Sequence, residues 1–322
     1  MNNEKRLLKA VKHPEWLFGV ILRRLFSRWM SDETFIKWEY FSGMKAFPNL
    51  ENPQRYNEKL QWLKLNDIHW EHTDIVDKYS TKEYVRGIIG EYYIIPTLGV
   101  WDNFDEIGFS LLPDQFVQKT THDSGGVVVC KDKASFDKTV VRKKLEKSLS
   151  YNYFYEHRDF IYKNIKPRII AEKFMVDESG TVLKDYKIFC FNGEPKMLFV
   201  AIDRPFETRF DFFDMDWNHL PLKQGHPLAT KEIKKPVGFE NMKEIARKLS
   251  KGFPHVRVDL YDINGHVYFG ELTFFHFSGN VPFEPAEWDY KIGKWLKLPK
   301  VEGRKFYVEV LGISILEERR AA

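Results

Sequence analysis

Two acids and an arginine near the end of the chain carry the most chemistry. Val256-Arg257-Val258-Asp259-Leu260-Tyr261 is followed closely by Gly270-Glu271-Leu272-Thr273, so two extended, mostly apolar segments each hold one carboxylate. Asn264-Gly265 lies between them, and that dipeptide is a strong hairpin signal. Burying Asp259 and Glu271 on a sheet without compensation would cost roughly several kcal/mol per ion. A divalent cation removes that penalty, and hard carboxylate oxygens suit Mg²⁺ bridging substrate phosphates. The alternative is a half-exposed hairpin with two solvated acids.

Sharing a cation constrains the register. A two-residue turn at Asn264-Gly265 would pair Ile263 with His266 and Asp259 with Gly270, sending Glu271 to the opposite face. A three-residue connection, with Gly265 left-handed in a bulge, pairs Asp262 with His266 and sets Arg257 across from Glu271. The second register is therefore expected, with Arg257, Asp259, Glu271 and Thr273 on one face.

Other charged strand ends accompany this pair. Phe116-Val117-Gln118-Lys119 reads as a short strand running into Thr120-Thr121-His122-Asp123-Ser124-Gly125-Gly126, with the strand Val127-Val128-Val129-Cys130 beyond. Glycines let backbone N–H groups approach an anion, and Lys119 supplies point charge, so the loop can cover phosphate. An ordinary Ser-Gly-Gly hairpin turn is the competing reading. The glycine-lysine-hydroxyl order of a Walker A loop is absent. Further on, Arg168-Ile169-Ile170-Ala171-Glu172-Lys173-Phe174-Met175 is an apolar strand ending in a charged pair. In Lys184-Asp185-Tyr186-Lys187-Ile188-Phe189-Cys190-Phe191, Asp185 and Lys187 share one strand face. Such a pair is ordinarily a salt-bridged surface.

Taken in order, lysine, glycine loop, Glu-Lys-Phe-Met, Asp-Tyr-Lys, Arg-Val-Asp and Glu-Leu-Thr resemble the ATP-grasp superfamily. The likeness is greatest to the TupA-like ligases linked to teichuronopeptide and capsular polysaccharide synthesis. It runs from about Ser31 to about Pro299 and includes Asn57-Glu58-Lys59-Leu60-Gln61-Trp62, Asp77-Lys78-Tyr79, Phe269-Gly270-Glu271-Leu272-Thr273-Phe274 and Trp288-Asp289-Tyr290-Lys291.

The resemblance implies roles residue by residue. Lys82 matches a lysine on the nucleotide's phosphates, with Lys78 as the competing choice. Lys119 matches the second phosphate lysine, and His122, Ser124, Gly125 and Gly126 match the loop that closes over the phosphates. Glu172, Lys173 and Phe174 match the hinge that meets the adenine amino group. Asp185 and Lys187 resemble the Asp-x-basic strand motif of glutamate-adding ligases. Arg257 matches the arginine set against the transferring phosphate, and Asp259 and Glu271 match two metal ligands. Thr273 stands where many members have Asn, which puts a second full metal site in doubt. The implied cofactors are ATP and Mg²⁺, and the implied reaction is ligation through an acyl phosphate. Catalysis would then be positioning and charge neutralisation by lysines, arginines and metal.

These residues need two lobes to position them. At 322 residues and 43% hydrophobic content, the chain can bury a sizeable core. Only Cys130 and Cys190 occur, far from a Cys-x-x-Cys spacing, and they read as small buried residues of a reduced, cytosolic protein without structural zinc. Met242, Ile245, Ala246 and Leu249 form the stripe of a core helix. Glu91 to Val100 reads as a strand broken at Pro96, and Lys133 to Tyr155 as a helical stretch dense in charge.

Residues 1–30 hold seven Lys or Arg against two Glu and carry +5, while the whole chain carries +4. Phe18, Ile21, Leu22, Leu25 and Trp29 recur there at helical spacing beside Arg23, Arg24 and Arg28. The apolar run from Trp16 to Leu22 is too short to span a bilayer, and the segment is not expected to be a secretory h-region, since no small-residue cleavage site follows. A basic amphipathic helix can lie on an anionic membrane surface, or it can pack on its own domain.

The expected architecture is α+β, an ATP-grasp fold with nucleotide between two α+β lobes behind a helical N-terminal segment. Its divisions are 1–30, a basic helical segment; 31–100, an N-terminal α/β region; 101–175, the small lobe; 176–299, the core lobe with the metal site; and 300–322, a tail that is either a final helix or appended sequence. The expected function is joining of an amine or amino acid to a carboxylate-bearing, cell-surface glycan precursor in the cytoplasm, at the inner face of the membrane if the helix docks. Nucleic acid is not an expected partner. Arg204 is the best carboxylate clamp by charge, against an ion pair with Asp203 or Glu207. The rival enzyme is a metal-dependent glycosyltransferase using Asp214 and Asp216, and the non-enzymatic rival is a membrane-docked scaffold.

Overall fold

The computed structural model describes residues 14–21, 25–69, 72–123, 125–177, 183–203 and 208–300, together with strands 305–310 and 313–318. Two antiparallel sheets organise it. The smaller contains β1 (Thr97–Trp101), β2 (Phe116–Thr120), β3 (Val127–Cys130) and β4 (Ile169–Lys173) in the order β1-β4-β2-β3. Strand β2 alternates, with Phe116, Gln118 and Thr120 inward and Val117 and Lys119 less buried on the other face, the pattern of a sheet covered on one side. The covering helix, Lys138–Leu149, starts where Asp137 accepts hydrogen bonds from the amides of Thr139 and Val140. Its Val141 and Leu145 pack with Phe104, Phe109, Phe116 and Ala171. The charge-dense stretch is thus one helix flanked by the short turn Lys133–Ser135 and the short helix Phe154–His157.

The larger sheet comprises β5 (Asp185–Phe191), β6 (Glu194–Ile202), β7 (Arg209–Asp214), β9 (His255–Ile263) and β10 (His266–Thr273) in the order β10-β9-β5-β6-β7. Two-residue strands β8 (Lys223–Gln224) and β11 (Phe283–Glu284) pair beside it. Helix Phe239–Ser250 packs on the sheet with Met242, Ile245, Ala246 and Leu249 all buried, as their spacing predicts. Both cysteines are buried and free.

The hairpin between β9 and β10 differs from the expected register. Asn264 and Gly265 have φ of 54° and 86°, and Ile263 pairs with His266, so the connection has two residues. The extra residue sits further along, at Gly270: Phe269 pairs with Leu260, but Glu271 pairs with Asp259. A Cβ at Gly270 would lie 3.0 Å from the Asp259 carbonyl oxygen and 3.1 Å from the Tyr261 ring, which explains the glycine. Arg257 therefore faces Thr273 rather than Glu271, while all four side chains still share one face.

Two further expectations change. Glu91–Tyr93 is a 3₁₀ turn, and the strand begins only at Thr97. The tail forms strands β12 (Lys305–Val310) and β13 (Ile313–Glu318), paired with each other, rather than a final helix.

Polar residues of the helix Tyr56–Asn66 join distant segments. The Glu58 carboxylate accepts from the amides of Asn49, Gln54 and Arg55, while Lys59 donates to the carbonyls of Gly293 and Leu296. The Asn57 amide donates to Asp289 at 3.0 Å, and Gln61 and Lys64 both donate to the Ser278 carbonyl. These bonds hold the turn that follows β10, where Phe277 and Ser278 both have φ near 50° (48° and 51°).

Candidate active site

Strand β9 presents Arg257 and Asp259 between its two neighbours. On one side Glu271 and Thr273 of β10 lie directly across; on the other, Lys187 of β5 lies opposite Asp259. Arg257 grips Asp259 with two bonds of 2.7 Å, from Nε and Nη2. Its Nη2 also donates to the Thr273 hydroxyl at 2.9 Å and reaches Glu271 at 3.3 Å. Lys187 pairs with Asp259 and, at 2.9 Å, with Asp185. Asp185 and Lys187 are therefore part of this buried cluster rather than a solvated face.

One nitrogen of Arg257 remains, and His276 receives it: Nη1 donates to His276 Nδ1 at 2.6 Å. That bond leaves the proton on Nε2, which donates to Gln224 Oε1 at 2.9 Å. Burial, then the charge of Arg257, push His276 well below the usual imidazole range, so the ring stays neutral and able to accept.

The two carboxylates differ. Asp259 is buried, and burial pushes its pKa up to about 6 against the pull of Arg257 and Lys187. Burial also works against ionised Glu271, yet Lys187, Arg257 and Lys78 together hold it down at about 2. The Glu271 side chain keeps 43% of its surface exposed, so its oxygens open to the cleft.

The smaller sheet and the helix Ser80–Ile89 with the turn before it bring cations to the same cleft. Glu172 receives Lys82 at 2.5 Å on one oxygen and Lys119 at 2.6 Å on the other, and these lysines hold its pKa at about 2 despite burial. Lys82 also donates to the Ile95 carbonyl and the Thr97 hydroxyl, both at 2.8 Å, so its three N–H groups are engaged within the protein. Burial would lower the Lys119 pKa, but Glu172, Glu271 and Asp185 raise it. Lys119 thus feels the acids of the other lobe. Lys78 does as well: burial lowers its pKa, while Glu271 and Asp123 pull the other way. Asp77 fixes that lysine's position by accepting from the amides of Tyr79 and Ser80 and from Arg168.

The phosphate-loop residues separate. The His122 imidazole is buried, with Nε2 directed at the carbonyls of Ser148 and Tyr151, so only its backbone is left for an anion. Asp123 accepts from the Gly126 amide at 3.1 Å and from the hydroxyls of Thr120 and Ser148. A Cβ at Gly126 would overlap the Thr120 hydroxyl, whereas Gly125 has open space on most sides. Lys173 is exposed with its amide bonded to the Pro96 carbonyl at 3.0 Å, and Phe174 is half-buried. Ser124 and Arg204 lie outside the described residues.

Asp214 closes a turn at the end of β7. Its carboxylate accepts from the amides of Asp216 and Asn218 and from the Asn218 side chain, all at 2.8–2.9 Å. Both oxygens are committed locally, as in a plain strand-to-turn edge, and this weighs against the glycosyltransferase reading of Asp214 and Asp216.

Among the described residues, no cluster of three or more His, Cys, Asp or Glu could by itself hold a metal. Asp259, Glu271 and Thr273 do form a hard oxygen set on adjacent strands. One or two carboxylates suffice for Mg²⁺ when phosphates and water supply the other ligands, so the set fits a metal carried by a nucleotide. Lys119 and Lys78, with Arg257 beside the acids, fit the polyphosphate. The sequence reading missed His276 and Gln224 as partners of Arg257. The available signal was a histidine three residues beyond Thr273.

The TupA-like ATPgrasp family model matches residues 58–297. No curated protein matches the chain. Solved structures similar to it include the D-alanine–D-alanine ligase from Helicobacter pylori, at 18% identity and TM-score 0.38, covering 69% of this chain and 61% of that one. A RimK domain ATP-grasp protein from Sphaerobacter thermophilus matches at 9% identity and TM-score 0.39, covering 72% and 70%. N5-carboxyaminoimidazole synthase from Aspergillus clavatus matches at 14% identity and TM-score 0.34, covering 64% and 46%. This chain spans about three fifths of the Helicobacter ligase's length.

Proposed function

This chain belongs to the TupA-like ATP-grasp family, and from that premise we propose that it is an ATP-dependent carboxylate–amine ligase. The observation that carries the reading is the buried array of Arg257, Asp259, Glu271, Thr273 and Lys187 facing Lys119 and Lys78 across the cleft. When bound, ATP with Mg²⁺ supplies the phosphoryl group that activates a carboxylate as an acyl phosphate for attack by an amine.

The protein's part is placement and charge. Nucleotide sits between the small lobe, 101–175, and the core lobe, 176–299. Glu172, with the backbone of Lys173 and Phe174, holds the base. Lys119, Lys187 and Arg257 neutralise developing negative charge, with Lys82 or Lys78 and the His122–Gly126 backbone on the phosphates. Asp259, Glu271 and Thr273 hold the metal. Arg204 is the clamp for the substrate carboxylate. The substrates are an amine or amino acid and a carboxylate-bearing polysaccharide precursor, handled in the cytoplasm at the inner face of the membrane.

The test is ADP formation with candidate amines and glycans, followed by product analysis. Glu271→Gln should cut turnover by about 100-fold or more, while the Asp214→Asn, Asp216→Asn double variant keeps most of it. Sugar-nucleotide hydrolysis lost only in the double variant would instead favour glycosyl transfer.

A further inference from the structure

The N-terminal helix settles on the protein without burying its apolar face. Helix Pro14–Ile21 meets helix Asp32–Met44, with the Phe18 and Trp38 rings 5.5 Å apart. Trp38 in turn packs on Phe47 at 5.0 Å, so the contact is an aromatic platform. Yet Trp29 is 88% exposed, Leu25 64% and Phe26 49%, and Leu17, Phe18 and Ile21 are each exposed as well. Six large apolar side chains within thirteen positions are therefore exposed. Exposed apolar surface concentrated in so short a segment marks a docking site rather than ordinary scatter.

We propose that Leu17, Phe18, Ile21, Leu25, Phe26 and Trp29 dock this protein on the headgroup region of an anionic bilayer. The proposal rests on the membrane-side location in the reading above and not on its chemistry. Charge selects the occupant. Residues 1–30 carry +5, so a second copy would bring like charge against like, whereas anionic lipid attracts it. No described helix is long and apolar enough to cross a membrane, so the attachment is interfacial. Exposed Trp29 suits the boundary between headgroups and acyl chains.

Co-sedimentation with vesicles containing about one-third phosphatidylglycerol tests this, against phosphatidylcholine vesicles and at low and high salt. Anionic vesicles should bind the full chain at least about tenfold more strongly, and salt should weaken that binding. The Leu25→Ser, Phe26→Ser, Trp29→Ser variant should lose most vesicle binding while keeping its circular dichroism and ATP turnover. Equal binding to both lipids, no binding, or a lipid-free dimer dissolved by the same variant would overturn the proposal. Failure here with intact ATP turnover leaves the ligase reading standing; absent turnover with intact vesicle binding does the reverse.

Discussion

Arg257 makes five contacts through three nitrogens, and the one to His276 has no counterpart in the sequence reading. Because His276 is neutral and held in one tautomer by Gln224, its Nδ1 can only accept, and so it fixes the angle of the guanidinium. His276→Ala should lower kcat by about 10- to 100-fold with little change in KM for ATP, since it misplaces a group without removing it. His276→Asn, whose side-chain oxygen can still accept, should recover part of the loss. A variant that alters stability alone would show neither the kcat–KM split nor the rescue. Asp259 makes a second prediction. Its pKa rises to about 6 from an ordinary 3.8, so between those values the folded state holds a proton that the unfolded chain has released. This group's contribution to stability therefore falls as pH rises from about 4 to about 6. Metal needs the carboxylate, so Mg²⁺ affinity measured by titration calorimetry should strengthen as pH rises through about 6 and flatten above it. Affinity independent of pH there would remove Asp259 from the metal set. The grouping of Arg257, Asp259, Glu271 and Thr273 on one face was legible from strand alternation. That Lys187 also pairs with Asp259 was not, because β5 and β9 are neighbours in the sheet but far apart in sequence, which leaves no local pattern.

At the scale of elements, the hairpin shows what alternation can and cannot reveal. Asn264-Gly265 specified its own two-residue turn, as its composition demands, and the bulge was needed elsewhere. The signal was present: buried residues on β10 fall at Val267 and Phe269, then at Leu272, a step of two followed by a step of three. An extra residue between Phe269 and Leu272 follows, and Gly270 tolerates it because the Asp259 carbonyl lies so near. Gly270→Val should destabilise the protein by about 1–3 kcal/mol through overpacking against backbone that cannot yield. Turnover should fall by more than that loss of folded protein explains, because Glu271 and Asp259 are the pair displaced. A denaturation curve with an activity assay on the folded fraction decides it; unchanged specific activity would mean the bulge is merely tolerated. The core helix Phe239–Ser250 was legible because its stripe repeats over three turns. The tail's pairing was not, since twenty-odd residues of mixed apolar and charged character fit either period.

The whole molecule places acids of one lobe against lysines of the other. Lys119 of the smaller sheet and Lys78 of the N-terminal region both feel Glu271, while Glu172 bridges Lys82 and Lys119. Two lobes were expected from the order of motifs, yet their facing charges depend on tertiary distance and were visible only as unplaced charged strand ends. A polyphosphate entering this cleft meets concentrated positive charge, and its Mg²⁺ meets the Glu271 side of the same space. ATP with Mg²⁺ should therefore bind the folded state and both lobes at once. At about 100 times its dissociation constant, a ligand that binds only the folded state adds roughly 2.7 kcal/mol, enough to raise the melting temperature by several degrees. ATP without Mg²⁺ should protect less, because its charge then confronts Asp259 and Glu271 unshielded, and a nucleotide sugar with Mn²⁺ should protect least. Lys119→Ala should lose most of the ATP shift while its ligand-free melting temperature stays close to that of the unmodified protein, since Glu172 retains Lys82 as a partner. Protection by the nucleotide sugar and none by ATP would leave the facing charges as a structural clamp between lobes and would favour the rival glycosyltransferase reading.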